Sequence, residues 1–99
     1  MKGKRGKVLR AAGQTLEVTL FVGPDGVTDG VAAEAKAQLK THDLVKAKVS
    51  SVAADASSMK EVGAALAEKA GAELVEVRGR TALIARRARA SAEPKDRRG

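Results

Sequence analysis

The chain has 99 residues, of which 43% are hydrophobic, with no cysteine and a formal net charge of +7. This length predicts a single domain with a modest core, and the lack of cysteine excludes disulfide bridges and thiolate metal sites. No apolar run approaches the ~20 residues that cross a bilayer, and the basic N-terminus leads into no signal-peptide-like apolar region. We therefore expect a cytoplasmic protein that makes no contact with a membrane.

The positive charge is concentrated at the two ends of the chain. Residues 1–10 hold five basic and no acidic side chains, and residues 86–99 hold six basic against two acidic ones. Residues 11–85, in contrast, hold eight basic and ten acidic side chains. Basic ends bind polyanions through counterion release, which favours nucleic acid as the partner over a role in solubility alone.

The first part of the chain predicts a short basic helix over residues 2–12 and a strand over residues 16–22. In this strand two sets of side chains alternate: Val18, Leu20 and Val22 against Thr19 and Phe21. Phe21 is the only aromatic residue, so the chain cannot build the aromatic platform on which readers of single-stranded RNA stack several bases. RNA contacts should therefore go mainly to the backbone and to shape.

A tight turn, Gly23-Pro24-Asp25-Gly26, follows the strand and precedes a helix for which Thr28 is a plausible N-cap. A strand that runs through glycines into a helix N-terminus can direct backbone N–H groups at a phosphate. The alternative is a tight connection without a ligand.

The next elements are a helix over residues 28–41 and a strand from Leu44 to Ser50. In the strand, Val45, Ala47 and Val49 share the predicted core face. Lys46 and Lys48 lie on the other face, where they could contact phosphates if no helix covers them.

The remaining elements are bounded by recognisable signals. Residues 52–57 predict a loop of small residues, and Ser58 with Glu61 has the spacing of a capping box that opens a helix ending at Gly71. Strands at 73–78 and 81–86 are joined by Gly79-Arg80, the composition of a type II′ hairpin turn.

This order, αβαβαββ, predicts a two-layer α/β domain. The helical crossovers imply parallel early strands and the final hairpin is antiparallel, which gives a four-stranded mixed sheet. We place a basic N-terminal arm at residues 1–7, the folded domain at 8–86 and a basic disordered tail at 87–99.

Three segments in this order resemble the CRM domain (chloroplast RNA splicing and ribosome maturation), in particular its stand-alone YhbY-like members. They are Val22-Gly23-Pro24-Asp25-Gly26-Val27-Thr28, His42-Asp43-Leu44-Val45-Lys46-Ala47-Lys48-Val49, and the run from Ala67 to Thr81. The resemblance covers about residues 8–86.

The resemblance implies an RNA-binding fold similar to the C-terminal domain of translation initiation factor three, and association with the large ribosomal subunit and its maturation. The sequence departs from the family in the turn, where Pro24 and Asp25 replace the usual lysine. It also departs at Gln14 and Val18, where the family usually has His and Pro. Since proline lacks an N–H and aspartate repels phosphate, phosphate affinity is expected to shift towards the basic ends.

The expected RNA-binding residues are the basic side chains of the ends, the turn, and the cations of the strands and hairpin: Lys4, Arg5, Lys7, Arg10, Gly23, Pro24, Asp25, Gly26, Lys46, Lys48, Arg78, Arg80, Arg86 and Arg87. We expect no catalytic residue, metal or cofactor, because the one histidine, His42, has no Cys or second His as a partner and suits a helix end.

The sequence therefore predicts a monomeric, non-enzymatic protein that binds structured RNA, with ribosomal RNA in large-subunit assembly as the expected target. The alternative is a protein-interaction module that binds a ribosomal or assembly protein while its tails contact RNA nonspecifically. The acidic balance of residues 11–85 is the observation that keeps this alternative open. DNA binding is the weakest hypothesis, because no helix-turn-helix pattern is present.

Overall fold

The computed structural model describes the backbone of residues 3–87 and the side chains of residues 6–87. This part of the chain forms, in order, α1 (Gly3–Gln14), β1 (Val18–Val22), α2 (Asp29–Leu39), β2 (Leu44–Val49), α3 (Ser51–Ala56), α4 (Met59–Ala70), β3 (Ala72–Arg78) and β4 (Thr81–Arg86). The predicted order is confirmed, with one added helix, α3. None of these helices is long and apolar enough to cross a membrane. The predicted C-terminal tail lies outside the described residues from position 88 onward.

The strands form one mixed sheet in the order β1-β2-β4-β3. β1 and β2 are parallel, while β4 is antiparallel to both of its neighbours. The predicted mixed sheet is thus confirmed. β4 is central although it is last in the chain, and its Ala82 and Ile84 are fully buried.

The main core lies between one face of the sheet and the helices α2, α3 and α4. Its most deeply buried large side chains are Leu66 from α4 and four strand residues, Val22, Val45, Val49 and Ile84. The predicted alternation in β2 is confirmed, since Val45, Ala47 and Val49 are all buried. Burial of these side chains supplies most of the driving force for packing the helices on this face.

Helix α4 begins and ends where its capping residues predict. The side-chain oxygen of Ser58 accepts a hydrogen bond from the backbone N–H of Glu61 at 3.1 Å. Gly71 ends the helix in the left-handed conformation with a φ of 68°, which glycine adopts without a steric penalty. The two caps therefore fix the ends of α4 at the residues that the sequence predicted.

The prediction of a loop over residues 52–57 is wrong, because Ser51–Ala56 form the short helix α3. Its N-cap is Ser50, whose side chain accepts from the N–H of Val52 at 3.2 Å. Only Ala53 is buried in this helix. Six residues with one fully buried side chain are too few to show a helical period, so the sequence pattern could not reveal α3.

Helix α1 lies on the opposite face of the sheet. Leu9 packs beside Leu83 in a small apolar cluster completed by Leu16, Leu44, Val75 and Ala85. Gly13 lies so close to Leu83 that a Cβ atom on this glycine would overlap with the leucine side chain. The predicted two layers therefore gain a partial third one.

Because α1 begins at Gly3, the predicted boundary between the N-terminal arm and the folded domain, between residues 7 and 8, falls inside a helix.

The edge strand β1 departs from strict alternation. Its pairing with β2 shifts register between Val18 and Leu20, and Val18 is 40% exposed instead of sharing the buried face of Leu20 and Val22. Next to it, the side-chain amide of Gln38 in α2 donates to the carbonyl oxygen of Thr19 at 2.8 Å. The hydroxyl of Thr19 donates back to Gln38 Oε1 at 2.6 Å.

Candidate nucleic-acid interface

The sheet topology brings two turns to the same end of the sheet. β1 ends at the Gly23–Gly26 turn, and β2, which is parallel to it, ends alongside. The hairpin turn Gly79-Arg80 meets this end, since the N–H of Val49 donates to the carbonyl of Arg80 at 2.8 Å. Gly79 has a φ of 58°, and no non-glycine residue in the described range has a positive φ, which agrees with the predicted turn type. We call this region the turn end.

The Gly23–Gly26 turn is held by its own backbone hydrogen bonds. The N–H of Gly26 donates to the carbonyl of Gly23, and the N–H of Thr28 donates to that of Gly26, both at 3.0 Å. Thr28 caps α2 as predicted, accepting from the N–H of Val31 at 3.2 Å. Because Pro24 has no N–H, the turn offers a phosphate few free donors.

A row of side chains crosses the sheet at the turn end. Phe21 is paired with Lys48, Lys48 with Thr81, and Thr81 with Arg78 in the strand registers. Phe21 is 67% exposed, and Lys48 and Arg78 are also exposed. Arg78 forms an ion pair with Glu76 at 3.3 Å. We call Phe21, Lys48, Thr81 and Arg78 the turn-end row.

Two lysines of β2 that the sequence placed on one face have different surroundings. Lys46 is half-buried beside α1, and its Nζ donates to the carbonyl of Gly13 at 3.2 Å. Lys48 is exposed, and within the described residues its ammonium group has no hydrogen-bond or ion-pair partner. Of these two lysines, therefore, only Lys48 is left fully accessible to a ligand by α1.

Arg86 and Arg87 lie at the other end of β4. About 17 Å of strand separates Arg86 from Thr81 at a rise of ~3.3 Å per residue. The guanidinium group of Arg86 forms an ion pair with Asp43 and donates to the carbonyl of Lys40 at 3.3 Å. Arg87 is exposed. The structure therefore does not bring these two arginines together with the turn end.

The basic residues of the N-terminus belong to α1. Lys7 is exposed and Arg10 is half-buried. Lys4 and Arg5 lie in the same helix, and their side chains are outside the described part of the structure. A shallow cleft between the C-terminal end of α1 and the hairpin is lined by Gly13 and Arg78, among others.

His42 lies just after the C-terminal end of α2, and its backbone N–H donates to the carbonyl of Gln38 at 2.9 Å. Its Nδ1 is 2.9 Å from the hydroxyl oxygen of Thr41 and 3.2 Å from the carbonyl oxygen of Gln38. In residues 6–87 no three His, Asp or Glu side chains cluster as a metal site would require. These contacts give His42 a role in closing the helix.

The sequence interpretation did not select Phe21 as a binding residue. The signal was present, because Phe21 alternates with Leu20 and Val22 and must point away from the face that they occupy. The exposure of the single aromatic side chain became visible only with the fold.

Comparison with known proteins agrees with this fold. The model of the CRS1/YhbY (CRM) domain family matches residues 1–86. The solution structure of the Staphylococcus aureus protein SAV1595, for which RNA binding is proposed, has a TM-score of 0.76 with this chain. The two share 24% sequence identity, and the match covers 89% of this chain and 90% of that one. A search of curated proteins found no match. The chain belongs to the CRS1/YhbY (CRM) domain family, a family of RNA-binding domains.

Proposed function

We propose that this protein binds structured ribosomal RNA in the assembly or maturation of the large ribosomal subunit, through the turn end of its sheet. The observation that carries the proposal is that Lys48, Arg78 and Arg80 lie at the same end of the sheet as the Gly23–Gly26 turn. These three basic side chains, of which Arg78 is ion-paired with Glu76, give this end of the sheet, whose strands are about 4.8 Å apart, groups that can neutralise phosphates. Family membership supports RNA as the polyanion.

The proposed mechanism is stabilisation of an RNA conformation. The rigid sheet end docks against the shape of an RNA element, while Lys4, Arg5, Lys7 and Arg10 in α1 and Arg87 after β4 neutralise neighbouring phosphates. Phosphate contacts of this kind fix position and orientation without reading sequence. No cofactor takes part in this mechanism.

The test compares two doubly substituted full-length proteins that lose equal charge. Arg78→Gln/Arg80→Gln removes two cations from the turn end, and Lys36→Gln/Lys40→Gln removes two exposed cations from α2 and its C-cap. Binding to large-subunit ribosomal RNA and to duplex DNA is titrated with salt. Each lost phosphate contact should reduce the log–log salt slope by roughly 0.7–0.9.

We expect the hairpin double variant to lose more RNA affinity and salt slope than the α2 control, and the wild type to prefer RNA to DNA. Equal losses in the two variants together with equal affinity for RNA and DNA would contradict the proposal. The protein-interaction alternative, which the acidic balance of residues 11–85 keeps open, would then be the better hypothesis.

A further inference from the structure

Phe21 is the most exposed large apolar side chain in the described part of the protein. It is 67% exposed, whereas its neighbours Leu20 and Val22 are 5% and 0% exposed. It belongs to neither apolar cluster of the domain. The fold therefore gains little from an aromatic ring at this position, and a polar residue would fit the outward face of β1 equally well.

The surroundings of Phe21 are polar and cationic. Lys48 is its register partner on β2, at a strand spacing of about 4.8 Å. Thr81 and Arg78 continue the turn-end row across the sheet. An apolar protein partner would find a single ring among charges, whereas a nucleotide presents a flat base beside an anionic phosphate.

The backbone beside the ring is not crowded by side chains. The chain enters the turn two residues after Phe21, and an ideal Cβ built on Gly23 would have no heavy atom within 4 Å. No bulky group therefore stands directly over Gly23 at this end of β1.

Resting on the proposed RNA-binding function, we infer that Phe21 is the stacking platform for one unpaired RNA base, whose phosphate is contacted by Lys48. Stacking on an aromatic ring tolerates any base, because every base has a π face. A fully paired helix keeps its bases stacked on each other, so the occupant is a bulged, looped or terminal nucleotide. A single aromatic residue can take a single base, which agrees with recognition that is otherwise directed to the RNA backbone.

The first experiment places a fluorophore at the site. The chain contains no Trp and no Tyr, so Phe21→Trp introduces a unique indole. Val18→Trp is the matched control, because Val18 is 40% exposed and lies at the other end of the same strand. On addition of large-subunit ribosomal RNA, we expect strong quenching of the indole at position 21 and weaker quenching at position 18. Equal quenching at both positions would overturn the inference.

The second experiment removes the ring and the base separately. The full-length protein and Phe21→Leu, which keeps an apolar side chain without a π face, are titrated with an RNA hairpin carrying one bulged adenosine. The same hairpin with an abasic residue at the bulge has the same backbone charge. We expect each single change to weaken binding about tenfold, within the roughly 5- to 150-fold range of base–aromatic stacking.

If the ring and the base contact each other, the two changes together should weaken binding little more than either one alone. Additive losses, or equal affinity for the bulged and abasic hairpins, would overturn the inference. If Phe21→Leu does not change the affinity for ribosomal RNA, the inference is overturned but the proposed function is not. Failure of the wild type to bind ribosomal RNA would overturn both.

Discussion

The two faces of the sheet differ in what covers them and in what they leave free. On one face α2, α3 and α4 bury a continuous apolar core around Leu66 and Ile84. On the other, α1 covers only a small cluster around Leu83, and three members of the turn-end row, Phe21, Lys48 and Arg78, remain exposed. The covered face accounts for the fold, and the partly covered face supplies the cations and the aromatic ring of the candidate interface. Stability and binding are therefore expected to respond to different substitutions.

The largest effect is expected on the face covered by three helices. Leu66 is fully buried, so Leu66→Ala should lower the free energy of unfolding by about 2–5 kcal/mol through lost burial and a cavity. Urea denaturation followed by circular dichroism measures this change. Val52→Ala, at a position that is 59% exposed, is the control and should change stability by less than about 0.5 kcal/mol. Similar losses in both variants would contradict the assignment of the core.

A smaller effect, with opposite signs, is expected at two helix glycines, Gly13 in α1 and Gly30 in α2. Gly13→Ala brings a methyl group against Leu83 and should cost about 1–2 kcal/mol, because overpacking outweighs the gain in helix propensity. Gly30→Ala lies in α2, where the nearest heavy atom to the new Cβ is Thr28 Oγ1 at 3.8 Å. It should stabilise the protein by about 0.4–1 kcal/mol. Denaturation midpoints measure both, and a stabilising Gly13→Ala would show that α1 does not pack tightly on the sheet.

The smallest effect separates the two lysines of β2. Lys48→Gln should reduce the salt slope of RNA binding by roughly 0.7–0.9, because an exposed ammonium group can neutralise a phosphate. Lys46→Gln should leave the slope unchanged and instead cost about 0.5–1.5 kcal/mol of stability, since its Nζ binds the carbonyl of Gly13. Salt titrations and urea denaturation of both variants measure the difference. The reverse result would mean that α1 moves away from the sheet when RNA binds.

Signals that act within a few residues, such as helix caps, predicted most elements of the fold, whereas the sequence held no signal for the pairing of distant strands. The two ends of α4 were predicted from Ser58 and Gly71, because a capping hydroxyl and a left-handed glycine act within one turn of the helix. The central place of β4 depends on contacts with strands distant in sequence, which a single sequence does not encode as a pattern. Helix α3 was missed because its six residues bury only Ala53.

The candidate site was predicted only as a set of residue types. The alternation in β2 placed Lys46 and Lys48 on the outward face, yet only the position of α1 distinguishes their roles. The basic residues of the chain were identified by composition. The separation of Arg86, which contacts Asp43, from the turn end follows from the length of β4.

The contact between Gln38 and Thr19 has a consequence for self-association. β1 is an edge strand, and the free edge of a sheet can recruit a strand from another molecule. The amide of Gln38 occupies the carbonyl oxygen of Thr19, and the register shift beside Val18 disrupts the regular spacing of the strand. A second copy of the chain that paired with this carbonyl would have to displace the side chain of Gln38, so a helix residue hinders extension of the sheet at the β1 edge.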